Sequence, residues 1–219
     1  MRRILAIAAA LAGLTGGFAA GAQDARVYSI DPAASEIHWL VYKAGTLSRL
    51  GHNHVISVAG LTGKVTVNGA ELGKSQFEIA FPVASLVVDD PKLRSGLGAD
   101  FASVPTADDV AGTRKNMLTD KVLDGEKYQT IAVKGSGPSG PADSQTLKLT
   151  VELLGRTVDL MVPTKVVVNG ERLTATGEFE LTHAQLGMKP FTVMLGALQV
   201  ADGMKFSYKI TAASASAKN

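Results

Sequence analysis

Thr146-Leu147-Lys148-Leu149-Thr150-Val151-Glu152-Leu153 alternates polar and apolar residues without interruption. An extended chain turns successive side chains to opposite faces, so Leu147, Leu149, Val151 and Leu153 share one side and the polar residues share the other. The same alternation recurs upstream, where Phe77, Ile79 and Phe81 oppose Gln76 and Glu78. Near the end, Met204, Phe206, Tyr208 and Ile210 oppose Lys205, Ser207 and Lys209. Strands with one wet face belong to antiparallel sheet, because the parallel sheet of βαβ units is covered on both sides. Less regular strands are expected at 35–43, 55–59, 64–67, 131–135, 157–163, 165–168 and 173–181. Residues 157–168, interrupted at Pro163, read as one long bulged strand or as two. Asn68-Gly69 and Asn169-Gly170 mark tight turns. Roughly eight to ten strands suffice to close a barrel and leave no exposed edge. The fold class is therefore all-β: one antiparallel barrel or barrel-like sandwich.

Two regions break the alternation. Residues 87–113, rich in Gly, Asp and Ser, read as a long connection, and 114–123 as a short amphipathic helix with Met117, Leu118, Val122 and Leu123 on its apolar side. Residues 135–144 form a Gly/Pro/Ser loop. The N-terminus has a different logic. Arg2 and Arg3 precede an apolar run from Ile4 to Phe18, and Ala20-Gly21-Ala22 supplies small residues before Gln23. This is the build of a secretory signal peptide cleaved after Ala22, and the run is shorter than the ~20 residues that span a bilayer. The expected division is 1–22 signal peptide, 23–211 barrel and 212–219 flexible tail. Export implies the periplasm.

The chain carries 22 Lys and Arg against 20 Asp and Glu, so removal of Arg2 and Arg3 balances the two. No basic stripe marks a nucleic-acid partner. There is no cysteine, which excludes disulfides, thiolate metal ligands and thiol nucleophiles, and leaves the apolar core to hold the fold.

In its opening strand, Tyr28-Ser29-Ile30-Asp31-Pro32 and Ser35 to Val41, the chain resembles the YceI-like, polyisoprenoid-binding proteins. The segments Gly60 to Gly63, Phe77 to Leu86, Arg114 to Leu118, Val122-Leu123-Asp124 with Tyr128, and Leu147 to Val162 extend that resemblance over nearly all of the mature chain. It implies an extended eight-stranded, lipocalin-like barrel in the periplasm, with an apolar cavity for an isoprenoid or fatty-acid-like chain. Gly155-Arg156-Thr157 and Gln129 depart from the commoner pattern, so ligand identity does not carry over with the fold.

From the residues alone, a barrel of this size can be filled by side chains or can enclose one ligand. Cavity candidates are Trp39, Phe77, Ile79, Phe81, Leu147, Leu149, Val151, Met204, Phe206 and Tyr208. An amphiphile bound there, an isoprenoid lipid, a quinone or a fatty-acid-like lipid, would owe its affinity to apolar burial. The polar feature that stands out is Gly51-His52-Asn53-His54, where alternation puts both imidazoles on one face. His52 and His54 read as the cavity mouth, in contact with a head group or partner, as ordinary hydrogen-bonding residues at a strand end, or as two ligands of a metal. A metal would need further donors from His183, His38, Met188 or Met194. Asp89-Asp90 and Asp108-Asp109 read as solvated loop carboxylates. No Ser lies in a nucleophile-elbow context and no Gly run forms a phosphate loop. The expectation is a non-catalytic carrier without an obligatory cofactor, whose partners are a lipid-like small molecule and, transiently, the membrane or a membrane protein. The alternatives are a metal-binding protein or metal-dependent hydrolase, and an adaptor barrel without a ligand. Oligomeric state is not legible.

Overall fold

The computed structural model describes residues 25–69, 71–142 and 144–214; the expected signal peptide and residues 215–219 lie outside them. Strands β1 (Arg26–Ile30) and β2 (Glu36–Ala44) form one long strand broken at Asp31-Pro32, as do β3 (His54–Val58) with β4 (Thr62–Val67), and β5 (Gln76–Pro82) with β6 (Leu86–Val88). Four unbroken strands follow: β7 (Thr130–Ser136), β8 (Gln145–Leu153), β9 (Arg156–Asn169) and β10 (Arg172–Thr182). The short β11 (Thr192–Val193) leads into β12 (Leu198–Ser214). Every pairing is antiparallel, and the eight-membered ring β1-β4-β5-β7-β8-β9-β10-β12 closes where Tyr28, Ser29 and Ile30 meet Ser214, Ala213 and Ala212. β2, β3 and β6 continue three of the staves beyond this ring, β2 pairing with β12 and β3 with both β2 and β6. This is the eight-stranded lipocalin-like barrel with extra strands that the alternation and the resemblance call for.

Local chemistry explains the connections. Asp90 caps α1 (Pro91–Arg94), accepting bonds from the amides of Lys92 (2.9 Å) and Leu93 (3.2 Å). Thr106 and Asp109 form a reciprocal capping box that opens α2 (Ala107–Leu118). The helix thus begins seven residues before the expected 114–123 segment and ends five residues earlier, since Thr119 to Leu123 fold back through turns. The expected loop 87–113 instead contains the end of β6, α1, a single turn at Ala99–Phe101 and the first half of α2. Residues 157–168 lie in one continuous strand, with Pro163 exposed in it. Asn169 pairs with Arg172 across a two-residue turn at Gly170-Glu171, whereas Asn68-Gly69 only starts a longer loop containing a short turn of helix, Leu72–Lys74. Ala212 to Ser214, assigned above to the tail, are the last residues of β12, and Ala212 is fully buried because β1 covers it.

The two ends of the barrel differ. Around the described chain termini, Tyr28, Val67, Leu173, Ile210 and Ala212 are all buried and close the floor. The Tyr28 hydroxyl donates to the Gly170 carbonyl at 2.9 Å, which satisfies its one polar atom. At the opposite end stand the β2–β3 turn, α2, and the connection from β10 to β12.

Candidate ligand cavity and its mouth

Halfway up the barrel, side chains that face inward are not fully buried. Ile37, Trp39, Val41, Phe77, Val133, Phe179, Phe206 and Tyr208 retain accessible surface although they pack against the core. In a filled interior, packed at crystal-like density, they would not. The surface they keep faces an internal cavity of about 530 Å³, within the ~300–1,000 Å³ usual for small-molecule sites. The interior is therefore hollow.

All ten cavity candidates line this space. Trp39 comes from β2, Phe77, Ile79 and Phe81 from β5, Leu147, Leu149 and Val151 from β8, and Met204, Phe206 and Tyr208 from β12. Strand register adds a wall that periodicity did not single out. Phe206 sits opposite Trp39 on one side and opposite Phe179 on the other. The rings stack at 5.7 Å and 5.3 Å between centroids, and Tyr208 meets Phe179 edge-on at 6.2 Å. Cross-strand aromatic pairs of this kind stabilise the sheet beyond their area. Two glycines make room for rings: a Cβ on Gly177 would lie 2.6 Å from Tyr208, and one on Gly135 would lie 2.6 Å from Phe77. Phe179 was missed because its strand face reads Leu173, Ala175, Gly177, Phe179, Leu181, and the small residues dilute the apolar signal. Burial raises the Tyr208 phenol above its ordinary value, against a hydrogen bond from Thr164 that lowers it.

The polar lining gathers at the helical end. Asp109, Thr113 and Met117, spaced four apart, put one face of α2 on the cavity, joined by Asn116. His52 and His54 line the same end, their rings 6.2 Å apart. His54 Nδ1 lies 2.7 Å from Asp89 Oδ2, and its Nε2 lies 3.3 Å from the Thr113 hydroxyl. His52 Nδ1 is 3.3 Å from the Ser103 hydroxyl, and its Nε2 is 3.6 Å from Asp109. Beneath them, Asp89 takes 2.6 Å and 3.0 Å bonds from Arg94 and the Val55 amide. Burial alone would raise the Asp89 carboxyl, but the bonds from His54 and Val55 and the charges of His54 and Arg94 outweigh it and hold it below the ordinary value. Asp109 is also lowered, by the two bonds from Thr106. Arg94 completes the knot, donating to the Asn53 carbonyl (2.8 Å) and the Ser103 carbonyl (2.6 Å) and lying over the Phe101 ring.

Of the carboxylates read as solvated loop groups, Asp89 is instead buried and paired, and Asp109, though exposed, belongs to the capping box. Asp90 caps α1. Among the described residues, no group of three or more His, Cys, Asp or Glu side chains is placed to hold a metal ion. His183 lines the cavity but is bonded to the Asp202 carbonyl at 2.8 Å. His38 lies on the other face of β2, 2.7 Å from Glu36. Met188 lines the cavity, whereas Met194 is exposed on the rim.

Solved structures share this architecture at low identity. BcnA of Burkholderia cenocepacia is 12% identical, with a TM-score of 0.60 over 83% of this chain and 98% of that one. A polyisoprenoid-binding domain from Saccharophagus degradans, implicated in plant cell wall breakdown, is 12% identical with a TM-score of 0.52 over 86% and 98%. A Campylobacter jejuni YceI protein is 8% identical, with a TM-score of 0.51 over 74% and 84%. No curated protein matches the chain. A family model for the YceI-like domain matches residues 28–212, and the chain belongs to that family of periplasmic, non-catalytic carriers of hydrophobic ligands.

Proposed function

We propose that the chain, exported and cleaved after Ala22, carries an amphiphile with one long apolar tail, an isoprenoid lipid or a quinone, across the periplasm. The tail lies against Phe77, Phe179 and Phe206, down to the floor at Leu173 and Ile210. The head group stays at the helical end, within reach of His52, His54, Thr113 and Asn116. The observation that carries this reading is the distribution of polarity: an apolar cavity whose polar lining is concentrated at the helical end, with Ser75 and Gln76 at the other. A tail gains affinity from the apolar surface it removes from water, while a few polar groups at the mouth set orientation. Binding is non-covalent, and loading and unloading involve transient contact with a membrane or a membrane protein.

Native mass spectrometry of gently purified protein tests this. The expected result is a co-purifying species, lost on organic extraction, with the mass of a single-chain amphiphile. A homogeneous apo mass, together with no uptake of isoprenoids, quinones or fatty acids, would overturn it.

A further inference from the structure

Among the described residues, the rim of the cavity carries four apolar side chains with exposed surface. Leu195 is fully exposed, Met194 is 63% exposed, Leu50 56% and Val193 38%. They come from two segments tied together, since the Leu47 amide donates to the Ala197 carbonyl at 2.8 Å. Leu50 and Val193 also line the cavity, so the patch is continuous with its mouth. Met194 and Leu195 adopt successive left-handed conformations, with φ of 52° and 56°. That backbone is disfavoured for any residue with a Cβ. The exposed Leu195 side chain contributes no packing to hold it there, so the backbone bonds of Ala197 to Met194 and of Leu47 to Ala197 keep the turn in place.

The two segments that build this patch carry charge of one sign. Residues 43–52 contain Lys43 and Arg49, residues 184–201 contain Lys189, and neither segment contains an acid. All three cations are exposed. Lys43 reaches the Gly51 carbonyl at 2.9 Å, while Arg49 and Lys189 form no ion pair among the described residues. The acids of the mouth come from other segments: Asp108 and Asp109 begin α2, where Asp109 is engaged by Thr106 and faces His52, Asp100 accepts at its carbonyl from Asn53, and Asp202 accepts at its carbonyl from His183.

We propose that this rim docks on an anionic bilayer surface. Met194 and Leu195 enter the headgroup layer, and Arg49, Lys189 and Lys43 lie against lipid phosphates, so that the cavity opens toward the membrane. The inference rests on the carrier reading and assigns the surface through which a lipid would enter or leave. The occupant is lipid and not protein because the tip is aliphatic and its two segments carry cations without acids, Arg49 and Lys189 forming no ion pair among the described residues, while none of its four side chains is an aromatic anchor of the kind that dominates protein interfaces. Cations around a small apolar tip are what bind an anionic interface weakly and reversibly.

Co-sedimentation of the chain beginning at Gln23 with vesicles tests the assignment. It should partition onto phosphatidylcholine vesicles containing phosphatidylglycerol, less onto phosphatidylcholine alone, and be released by salt. Met194→Asp with Leu195→Asp should lower the partition coefficient by about tenfold or more, and Arg49→Glu with Lys189→Glu should remove the preference for phosphatidylglycerol. Leu195→Gly separates strain from docking: it should raise the melting temperature while weakening vesicle binding. Absence of wild-type binding to either vesicle, or unchanged binding by the aspartate variant, overturns the proposal. So does a wild-type dimer that the aspartate variant converts to monomer, which would assign the patch to a second copy. Native mass spectrometry of each variant keeps the two readings apart. Docking fails alone if lipid still co-purifies without vesicle binding, and the carrier reading fails alone if vesicles bind a chain that never carries lipid.

Discussion

The floor and the mouth of the barrel are built from the same alternating strands, yet they are held by different forces. At the floor, Tyr28, Val67, Leu173, Ile210 and Ala212 are buried, with Val67, Leu173 and Ile210 forming the closed end of the cavity, and the one polar atom among their side chains is satisfied by Gly170. At the mouth, the structure hangs on a buried charge cluster, Asp89, Arg94 and His54, which ties the β2–β3 turn to α1 and α2. Between them the wall aromatics stack on one another but leave one side facing empty space. Stability thus sits at the two ends, and the middle is left free for an occupant.

Breaking the mouth should cost most. Asp89→Ala leaves the Arg94 guanidinium buried without its counter-charge and removes the acceptor for the Val55 amide. Loss of one partner of a buried pair costs about 3–5 kcal/mol, so the urea midpoint should fall sharply, with α1 and the turn 51–54 losing amide protection first. The floor and wall give a sharper contrast. Leu173→Ala removes a buried side chain from the closed end and should cost about 2–5 kcal/mol, with lipid retention only slightly reduced, because Leu173 meets only the far end of the tail. Phe179→Ala removes a larger side chain, but one already bordering a cavity, so it should cost less than the full packed-core value while cutting lipid retention severely. Paired denaturation curves and native mass spectra check both; equal stability losses with equal lipid retention would erase the distinction between floor and wall.

That contrast also explains what could be read from the sequence. The wall is legible because every inward residue of β5, β8 and β12 obeys period two, and register then does the rest: it sets Phe206 between Trp39 and Phe179. The mouth is not legible, because its members come from 52–54, 89–94, 103 and 109–113, segments whose approach depends on how a polar connection folds. Gly112 and the paired acids made 107–113 look like loop, although Thr106 and Asp109 already carried the spacing of a capping box. Asp89 shows the deeper reason. A carboxylate in a Gly/Asp-rich stretch is solvated by default, and only the distant amide of Val55 and the imidazole of His54 make its burial tolerable. Local pattern encodes which way a side chain points along its strand, and not which remote donor will meet it.

The smallest effect expected is on pH dependence, and it isolates the mouth without disturbing its packing. The Asp89 carboxyl is held below its unfolded value, so the unfolded chain binds more protons in acid than the folded chain does. The resulting stability is fully present above the unfolded carboxylate value, near ~3.9, and is lost as pH falls through the lower folded value. Urea midpoints measured from neutral pH down to about pH 3 should therefore decline in acid for the wild-type chain. Asp89→Asn, which keeps the shape but cannot titrate, should start from a lower midpoint and lose the share of the acid decline that Asp89 supplies. Leu173→Ala should be displaced downward at all pH values with the wild-type slope unchanged, since the floor contains no group that ionises in this range. A flattened acid slope in Leu173→Ala, or an undiminished one in Asp89→Asn, would show that the two ends are coupled and not independently held.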